Sequence, residues 1–124
     1  MKKKYELEYT VNTSPSVLFN RLSTAGGLAE WFADDVRIKE DMFTFVWEGN
    51  EQQARILQKK AQSHIRMQWL DDDPETYFEF RLRKDELTGD LALLITDFAE
   101  DDEKEDAVDL WNSQISELKR NLGL

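Results

Sequence analysis

The sequence predicts an α+β domain in which one long C-terminal helix covers an antiparallel sheet of about six to seven strands. Segments between residues 36 and 98 alternate apolar and polar side chains, which is the period of half-buried strands. Residues 103–122 instead repeat apolar side chains every three or four positions, the period of an amphipathic helix. The length of 124 residues fits one domain, residues 1–124.

The chain begins with a predicted strand at residues 5–11, where tyrosine, leucine and valine alternate with polar residues. Ser14 followed by Pro15 is typical of a helix start, because serine caps the first turn and proline needs no amide partner there. We expect this helix to end at about residue 22. Its inward side chains are predicted to be Val17, Leu18 and Leu22.

A second short helix is predicted at residues 28–33. The glycine pair Gly26 and Gly27 is expected to break the first helix before it, since glycine is a weak helix former. The second helix would turn Trp31 and Phe32 toward the interior.

Six further strands are predicted, at residues 36–39, 42–48, 51–60, 64–70, 76–83 and 91–98. Gly49 and Asn50 suit a tight hairpin turn that requires positive φ. The large apolar side chains share the parity that we expect to face inward: Phe43, Phe45, Trp47, Ala54, Ile56, Ile65, Met67, Trp69, Phe78, Phe80 and Leu82. Residues 91–98 are apolar at both parities, so that strand is expected to be covered on both faces, and its inward set stays open.

The C-terminal helix at residues 103–122 is expected to be about 30 Å long. One stripe of it is apolar and is predicted to lie on the sheet: Val108, Trp111, Ile115, Leu118 and Leu122. The opposite face is charged and is predicted to face solvent: Asp106, Asp109, Glu117 and Lys119. Acidic residues at 100–106 precede the helix, where negative charge interacts favourably with the helix dipole.

Composition restricts the partners. The chain has 26 acidic and 16 basic residues, a formal charge of −10, and its basic residues are scattered. Affinity for nucleic acid depends on clustered lysine and arginine, so we expect no nucleic-acid partner. There is no cysteine, which excludes disulfides and thiolate metal sites. No apolar run is long enough for a membrane span or a signal peptide, so we expect a cytoplasmic protein without membrane insertion.

This order of elements resembles the helix-grip fold of the START-like superfamily, also called SRPBCC. The sequence looks most similar to small bacterial START-like domains related to activators of the heat-shock-chaperone ATPase. The matching motifs are SPSVLF at 14–19, LAEWF at 28–32, WLDDDPETYFEF at 69–80, LITDFA at 94–99, LWNSQI at 110–115 and LKR at 118–120. The resemblance implies a curved sheet that grips the long helix, with a cavity between them that often holds an apolar ligand. The superfamily includes carriers, cyclases, hydrolases and co-chaperones, so it implies the fold more specifically than the function.

The candidate ligand site consists of inward-facing apolar residues: Trp31, Phe45, Trp47, Met67, Trp69, Phe78, Phe80, Trp111 and Ile115. Two interpretations stay open. These side chains could line a pocket, because ligand pockets are mostly apolar. They could equally fill the core, since buried aromatic area offsets chain entropy. Four tryptophans occupy much space, so any pocket is expected to be small or narrow.

Catalytic and metal sites are weakly indicated. His64 is predicted on the polar face without a serine positioned beside it, which predicts a surface residue. Glu79, at outward parity, and Asp97, which could reach the cavity mouth, are the only candidates for an acid pair. Gln114 and Asn112 could be polar handles there.

The acidic run at 71–73 lacks the glycine and glutamate that a calcium loop needs at its sixth and twelfth positions. We expect no metal and no cofactor.

The leading functional hypothesis is non-enzymatic binding of a small hydrophobic ligand between the sheet and the C-terminal helix. The alternative is a protein-interaction module or chaperone cofactor that uses the outer sheet face or residues 101–106. An enzyme of the cyclase or hydrolase type is the least favoured reading.

Overall fold

A computed structural model describes the whole chain, residues 1–124, as one seven-stranded antiparallel sheet with three helices. The elements are β1 (Lys3–Thr10), α1 (Pro15–Ser23), α2 (Ala25–Ala29), β2 (Asp35–Lys39), β3 (Met42–Trp47), β4 (Asn50–Lys60), β5 (His64–Trp69), β6 (Phe78–Lys84), β7 (Leu91–Ala99) and α3 (Lys104–Asn121). The strand order is β1-β7-β6-β5-β4-β3-β2. Consecutive strands therefore pair from β2 to β7, and β1 adds to the far side of β7. The predicted α+β class and element order are confirmed.

The core lies between the sheet and the helices. Trp111, Ile115 and Leu118 of α3 are buried as predicted, and the two outer residues of the stripe, Val108 and Leu122, are partly buried. No helix of the protein is both long and apolar enough to cross a membrane.

The inward face of α1 differs from the prediction at one position. Leu18, Phe19 and Leu22 are buried, whereas Val17 is 39% exposed. Residues 18, 19 and 22 form one continuous stripe at the helical period, and residue 17 projects beyond the edge of that stripe. The expectation that Val17 faces inward is therefore wrong.

The second helix also differs from the prediction. It covers Ala25–Ala29 rather than residues 28–33. The glycine pair therefore lies inside the second helix and is not what ends the first one. Thr24 separates the two helices instead: its backbone is extended, and its side-chain oxygen accepts a hydrogen bond of 2.9 Å from the Gly27 amide. The helix ends before Trp31 and Phe32, but both are buried as expected.

The β3–β4 hairpin turns one residue earlier than predicted. Glu48 and Gly49 are the two turn residues, with φ of +48° and +81°, and Trp47 pairs with Asn50. Two successive positive φ values define the turn type that matches the twist of a hairpin. Strand β6 begins at Phe78 rather than residue 76, because the Thr76 amide bonds the Asp73 carbonyl in the preceding turn.

The inward face of β7, left open by the sequence, is decided by the register. Ile95 pairs with Phe80 and Asp97 pairs with Tyr5, so these residues share the inner face. Leu94 and Thr96 lie on the outer face but are also buried. The expectation that both faces of this strand are covered is thus confirmed.

Candidate functional site

A cavity of about 400 Å³ lies between α3 and the inner face of the sheet. Every strand from β3 to β7 contributes one side chain to it, α3 contributes four, and Phe32 completes the wall. Seven of the ten lining residues are hydrophobic. The lining residues are Phe32, Trp47, Gln52, Trp69, Phe78, Asp97, Ala107, Leu110, Trp111 and Gln114.

Four of the nine predicted site residues line this cavity: Trp47, Trp69, Phe78 and Trp111. The other five are buried in the core behind it: Trp31, Phe45, Met67, Phe80 and Ile115. The strand residues of both groups have the inward parity that the sequence indicates. Parity determines the face of the sheet, but it carries no information on whether a side chain borders a space or another side chain.

Phe32 connects the walls of the cavity. Its ring lies 5.1 Å from the ring of Phe45 and 5.9 Å from that of Trp111, measured between centroids. Its backbone carbonyl accepts hydrogen bonds from the Trp47 indole at 2.8 Å and from the Gln114 amide at 3.2 Å. The residue thereby holds β3 and α3 at a constant separation. Sequence reasoning placed Phe32 in the interior but did not assign it to the site.

Three lining residues were missed from the sequence. Ala107 and Leu110 precede Gln114 at spacings of three and four, so they form a second stripe on α3 beside the buried one. Leu110 is 61% exposed, which places it at the cavity mouth. Gln52 pairs with Phe45 across the hairpin and therefore shares the inner face. The helical spacing and the hairpin register are the signals that could have identified them.

Asp97 is the only charged residue in the lining. Its Oδ2 accepts hydrogen bonds from the Trp111 indole at 2.9 Å and from the Tyr5 hydroxyl at 3.2 Å, and its Oδ1 accepts one from the Phe98 amide at 2.8 Å. Burial raises the pKa of Asp97, and these three donors offset the rise only in part. Burial and the Asp97 charge also raise the pKa of Tyr5.

Glu79 and Asp97 do not form an acid pair. Glu79 pairs with Thr96 across the β6–β7 ladder, so its side chain is on the outer face, opposite Asp97. It is nevertheless only 5% exposed, because Arg66 at 3.0 Å and Arg81 at 3.2 Å pair with its carboxylate. Burial alone would raise the pKa of Glu79, but hydrogen bonds from both arginines lower it overall.

The two amide side chains proposed as polar handles differ in position. Gln114 lines the cavity. Asn112 lies on an exposed part of α3, where its side-chain oxygen accepts a hydrogen bond of 2.6 Å from the Tyr9 hydroxyl. Only Gln114 therefore has a side chain placed to contact a molecule in the cavity.

His64 is on the outer face, where it pairs with Arg81 across the β5–β6 ladder. The expectation that no serine stands beside it is wrong: the Ser63 hydroxyl is 3.0 Å from His64 Nδ1. No carboxylate hydrogen-bonds the other ring nitrogen, so the third member that orients a catalytic pair is missing. The two residues lie outside the cavity lining.

Some residues of the acidic segments bond within the chain. Asp72 accepts two hydrogen bonds, of 2.8 and 2.9 Å, from the Lys2 ammonium, and Asp73 accepts one of 2.9 Å from the Glu75 amide. Asp101 forms an ion pair with Lys3 at 3.1 Å. No three acidic or histidine side chains converge as a metal-binding group.

Comparisons with known proteins agree with this architecture. A sequence model of the START-like superfamily domain matches residues 1–124. A search of curated proteins finds no match. Among solved structures, a Bacteroides fragilis protein studied by solution NMR is 46% identical, with a TM-score of 0.70 over 99% of this chain and 93% of that one.

Two more distant structures share the fold alone. The Aha1 dimer from Colwellia psychrerythraea has a TM-score of 0.80 at 18% identity, over 94% of this chain and 93% of that one. An AHSA1-like protein from Aeromonas hydrophila has a TM-score of 0.77 at 10% identity, over 98% of this chain and 92% of that one.

Proposed function

Because the chain belongs to the START-like superfamily, we propose that it binds a small hydrophobic ligand, without catalysing a reaction, in the cavity between the sheet and α3. The observation that carries this proposal is the cavity itself. Its volume of about 400 Å³ falls in the lower part of the range of about 300–1,000 Å³ typical of small-molecule sites, and its lining is mostly apolar.

The exposure of the lining supports binding. Trp47 and Trp69 are only partly buried although they belong to the inner face. A ligand that covers their rings removes apolar surface from water, at about 25 cal/mol per Å². The two rings lie 6.0 Å apart and flank the space, so a flat or narrow apolar body fits between the tryptophans and α3.

The position of the carboxyl groups supports binding over catalysis. Acid–base chemistry with two carboxyls requires both in one cleft. Here Asp97 faces the cavity and Glu79 faces the opposite side of the sheet. The lone carboxyl in the lining can orient a ligand through a hydrogen bond.

The first experiment measures binding of the neutral fluorophore N-phenyl-1-naphthylamine, which carries no charge to be repelled by this acidic protein. We expect saturable binding with quenching of tryptophan emission, since three tryptophans line the cavity. Ala107→Phe places a ring in the space from α3 and should weaken binding about tenfold or more.

The matched control is Ala92→Phe, on the outer face of β7 opposite Arg83. It adds the same ring away from the cavity and should bind the probe as the wild type does. Circular dichroism establishes that both variants fold. Absence of saturable binding to the wild type, or undiminished binding to the folded Ala107→Phe variant, would contradict the proposal.

Interaction with a protein partner through residues 101–106 is the alternative. Part of this segment is already neutralised, because Asp101 pairs with Lys3. Recovery of one defined partner at low salt, and its loss on neutralising Asp102 and Glu105, would support this alternative.

A further inference from the structure

We infer that the cavity selects apolar ligands whose head group is an amine, ranks alcohols below them and discriminates against carboxylates. This inference rests on the proposed function and adds the chemical class of the ligand. It follows from the polar groups of the lining, from the hydrogen bonds that those groups already make, and from the absence of a cation among them.

The polar lining consists of three residues: Asp97, Gln52 and Gln114. No lysine, arginine or histidine lines the cavity. A carboxylate is an acceptor only, with about four lone-pair positions. Three donors already bond Asp97, so one acceptor position on Oδ1 is left for a ligand.

The donors around Asp97 are neutral. An indole, a phenol and a backbone amide solvate its negative charge without cancelling it. The Lys2 ammonium acts on Asp97 without a hydrogen bond to it, and Asp72 already holds that ammonium through two hydrogen bonds. Burial raises the pKa of Asp97, which is the sign of a carboxylate whose charge is incompletely compensated. A ligand ammonium would complete that compensation.

Gln114 adds a second acceptor. Its side-chain nitrogen donates to the Phe32 carbonyl at 3.2 Å, and because that carbonyl can only accept, the contact orients the amide. The Gln114 side-chain oxygen is thereby left without a protein donor. An ammonium carries three donors, whereas a hydroxyl carries one, so an ammonium satisfies more of the acceptors of this lining.

The same lining disfavours binding of a carboxylate ligand. Such a ligand would bring a second negative charge beside Asp97 in a mostly apolar pocket, and like charges there disfavour each other. The donors that the lining offers to an anion, the Trp69 indole and the Gln52 side-chain amide, are all neutral and compensate a negative charge only in part. The formal charge of −10 on the whole chain acts in the same direction.

Three ligands with the same ring system test the ranking: 1-naphthylmethylamine, 1-naphthalenemethanol and 1-naphthoate. Their dissociation constants are measured at neutral pH by tryptophan fluorescence and calorimetry. We expect the amine to bind about tenfold or more tightly than the carboxylate, with the alcohol between them, because a charge-assisted hydrogen bond is about twice as strong as a neutral one. Asp97→Asn should bring the amine and alcohol affinities close together.

The control variant is Asp109→Asn on the exposed face of α3, which changes the net charge equally and should leave the ranking unchanged. In case Asp97→Asn does not fold, the wild-type protein provides a second readout. The ¹³C chemical shift of the Asp97 carboxyl should titrate at lower pH with the amine bound than with the alcohol bound.

The outcomes separate the two proposals. If neither these three ligands nor N-phenyl-1-naphthylamine binds, the proposed function is overturned along with this inference. If only N-phenyl-1-naphthylamine binds, ligand binding stands and the inferred preference for an amine is wrong. If 1-naphthoate binds as tightly as the amine, ligand binding stands and the amine preference is wrong. If the amine preference persists in Asp97→Asn, or the Asp97 titration is the same with either ligand, the assignment to Asp97 is wrong.

Discussion

Two carboxyl groups of this protein lie on opposite faces of the same sheet, Glu79 buried and Asp97 partly buried, and they differ in what surrounds them. Arg66 and Arg81 pair with Glu79, and their hydrogen bonds more than offset the burial that would raise its pKa. Asp97 has only neutral donors, and burial raises its pKa. The first group therefore stabilises the folded state when charged, and the second is placed to attract a positive ligand.

We expect Glu79→Gln to lower the free energy of unfolding at neutral pH by about 1.5–3 kcal/mol, the range for hydrogen bonds to charged groups. The pKa of Glu79 is lowered, so its stabilisation is present above its ordinary value of 4.5 and is lost as the pH falls through the folded-state pKa. The difference between wild type and variant should thus shrink on acidification. Urea unfolding at neutral pH and below pH 4.5 measures it.

Glu8→Gln is the matched control for this prediction. Glu8 pairs with Arg83 at 2.6 Å, but both side chains are more than half exposed. Exposed pairs contribute about 0–1 kcal/mol, so this variant should differ little from wild type at either pH. If Glu8→Gln and Glu79→Gln lowered the free energy of unfolding equally, the larger contribution expected from Glu79 and its two arginines would be wrong.

At the scale of single elements, the junction between α1 and α2 depends on the short side chain of Thr24 and on the lack of a side chain at Gly27. The backbone N–H of Thr24 donates a hydrogen bond to the Asn20 carbonyl at the end of α1, and the Thr24 hydroxyl oxygen caps the start of α2. A Cβ on Gly27 would lie 2.2 Å from the Asn20 carbonyl oxygen, whereas a Cβ on Gly26 would meet no atom within 4 Å. Of the two adjacent glycines, only Gly27 is required by its surroundings.

We expect Gly27→Ala to lower the free energy of unfolding by about 1–3 kcal/mol, since a backbone atom must move to admit the methyl group. Gly26→Ala should instead raise it by about 0.5–1 kcal/mol, because alanine loses less backbone entropy in a helix. Denaturant unfolding of the two variants measures both. Effects of equal sign would show that the close helix approach does not govern this junction.

Helix α3 has two apolar stripes with different roles. Trp111, Ile115 and Leu118 are buried against the sheet, while Ala107 and Leu110 on the adjacent stripe line the cavity. Trp111 belongs to both, because it also lines the cavity and donates to Asp97. Truncating it would remove core packing and cavity wall together, so substitution at Ala107 is the cleaner probe of binding.

At the scale of the whole molecule, the cavity is bounded by segments far apart in the chain, from Phe32 to Gln114. The sheet also joins distant segments, because Lys3 of β1 pairs with Ala99 of β7. The binding space therefore exists only when the complete domain is folded, and a ligand there must stabilise the folded state over the unfolded one.

We expect 1-naphthylmethylamine to raise the free energy of unfolding by about 2.7 kcal/mol at a free concentration about 100 times its dissociation constant. Thermal unfolding at increasing ligand concentration measures the effect as a rising midpoint. At the same ligand concentration, Ala107→Phe should gain about 1.4 kcal/mol or less, because its binding is about tenfold or more weaker, while Ala92→Phe should respond as the wild type does. A midpoint that is independent of ligand in the wild type would mean that no ligand binds the folded cavity.

Turn geometry was the least predictable part of the fold. The glycine-asparagine pair at 49–50 indicated a hairpin correctly, but the turn residues are Glu48 and Gly49. Glutamate is not typical at positive φ, so local residue preference alone places the turn one residue too late in the chain. The Asp34 carboxylate accepts a hydrogen bond of 2.8 Å from the Glu48 amide, and this contact with a distant residue supports the observed turn.

By itself, the sequence determined the α+β class, the order of the elements, the inward parity of the strands and the buried stripe of the long helix. These follow from periodicity, which depends on the local geometry of strands and helices. The sequence also determined that Trp47, Trp69, Phe78 and Trp111 all face the interior of the domain.

The tertiary structure alone decided that those four residues border a space while Trp31, Phe45, Met67, Phe80 and Ile115 fill the core. It also decided that Asp97 faces the cavity and that Glu79 is buried on the outer face. The physical reason is that depth, empty volume and charge compensation depend on where separate segments meet, and no local pattern encodes the distance between them.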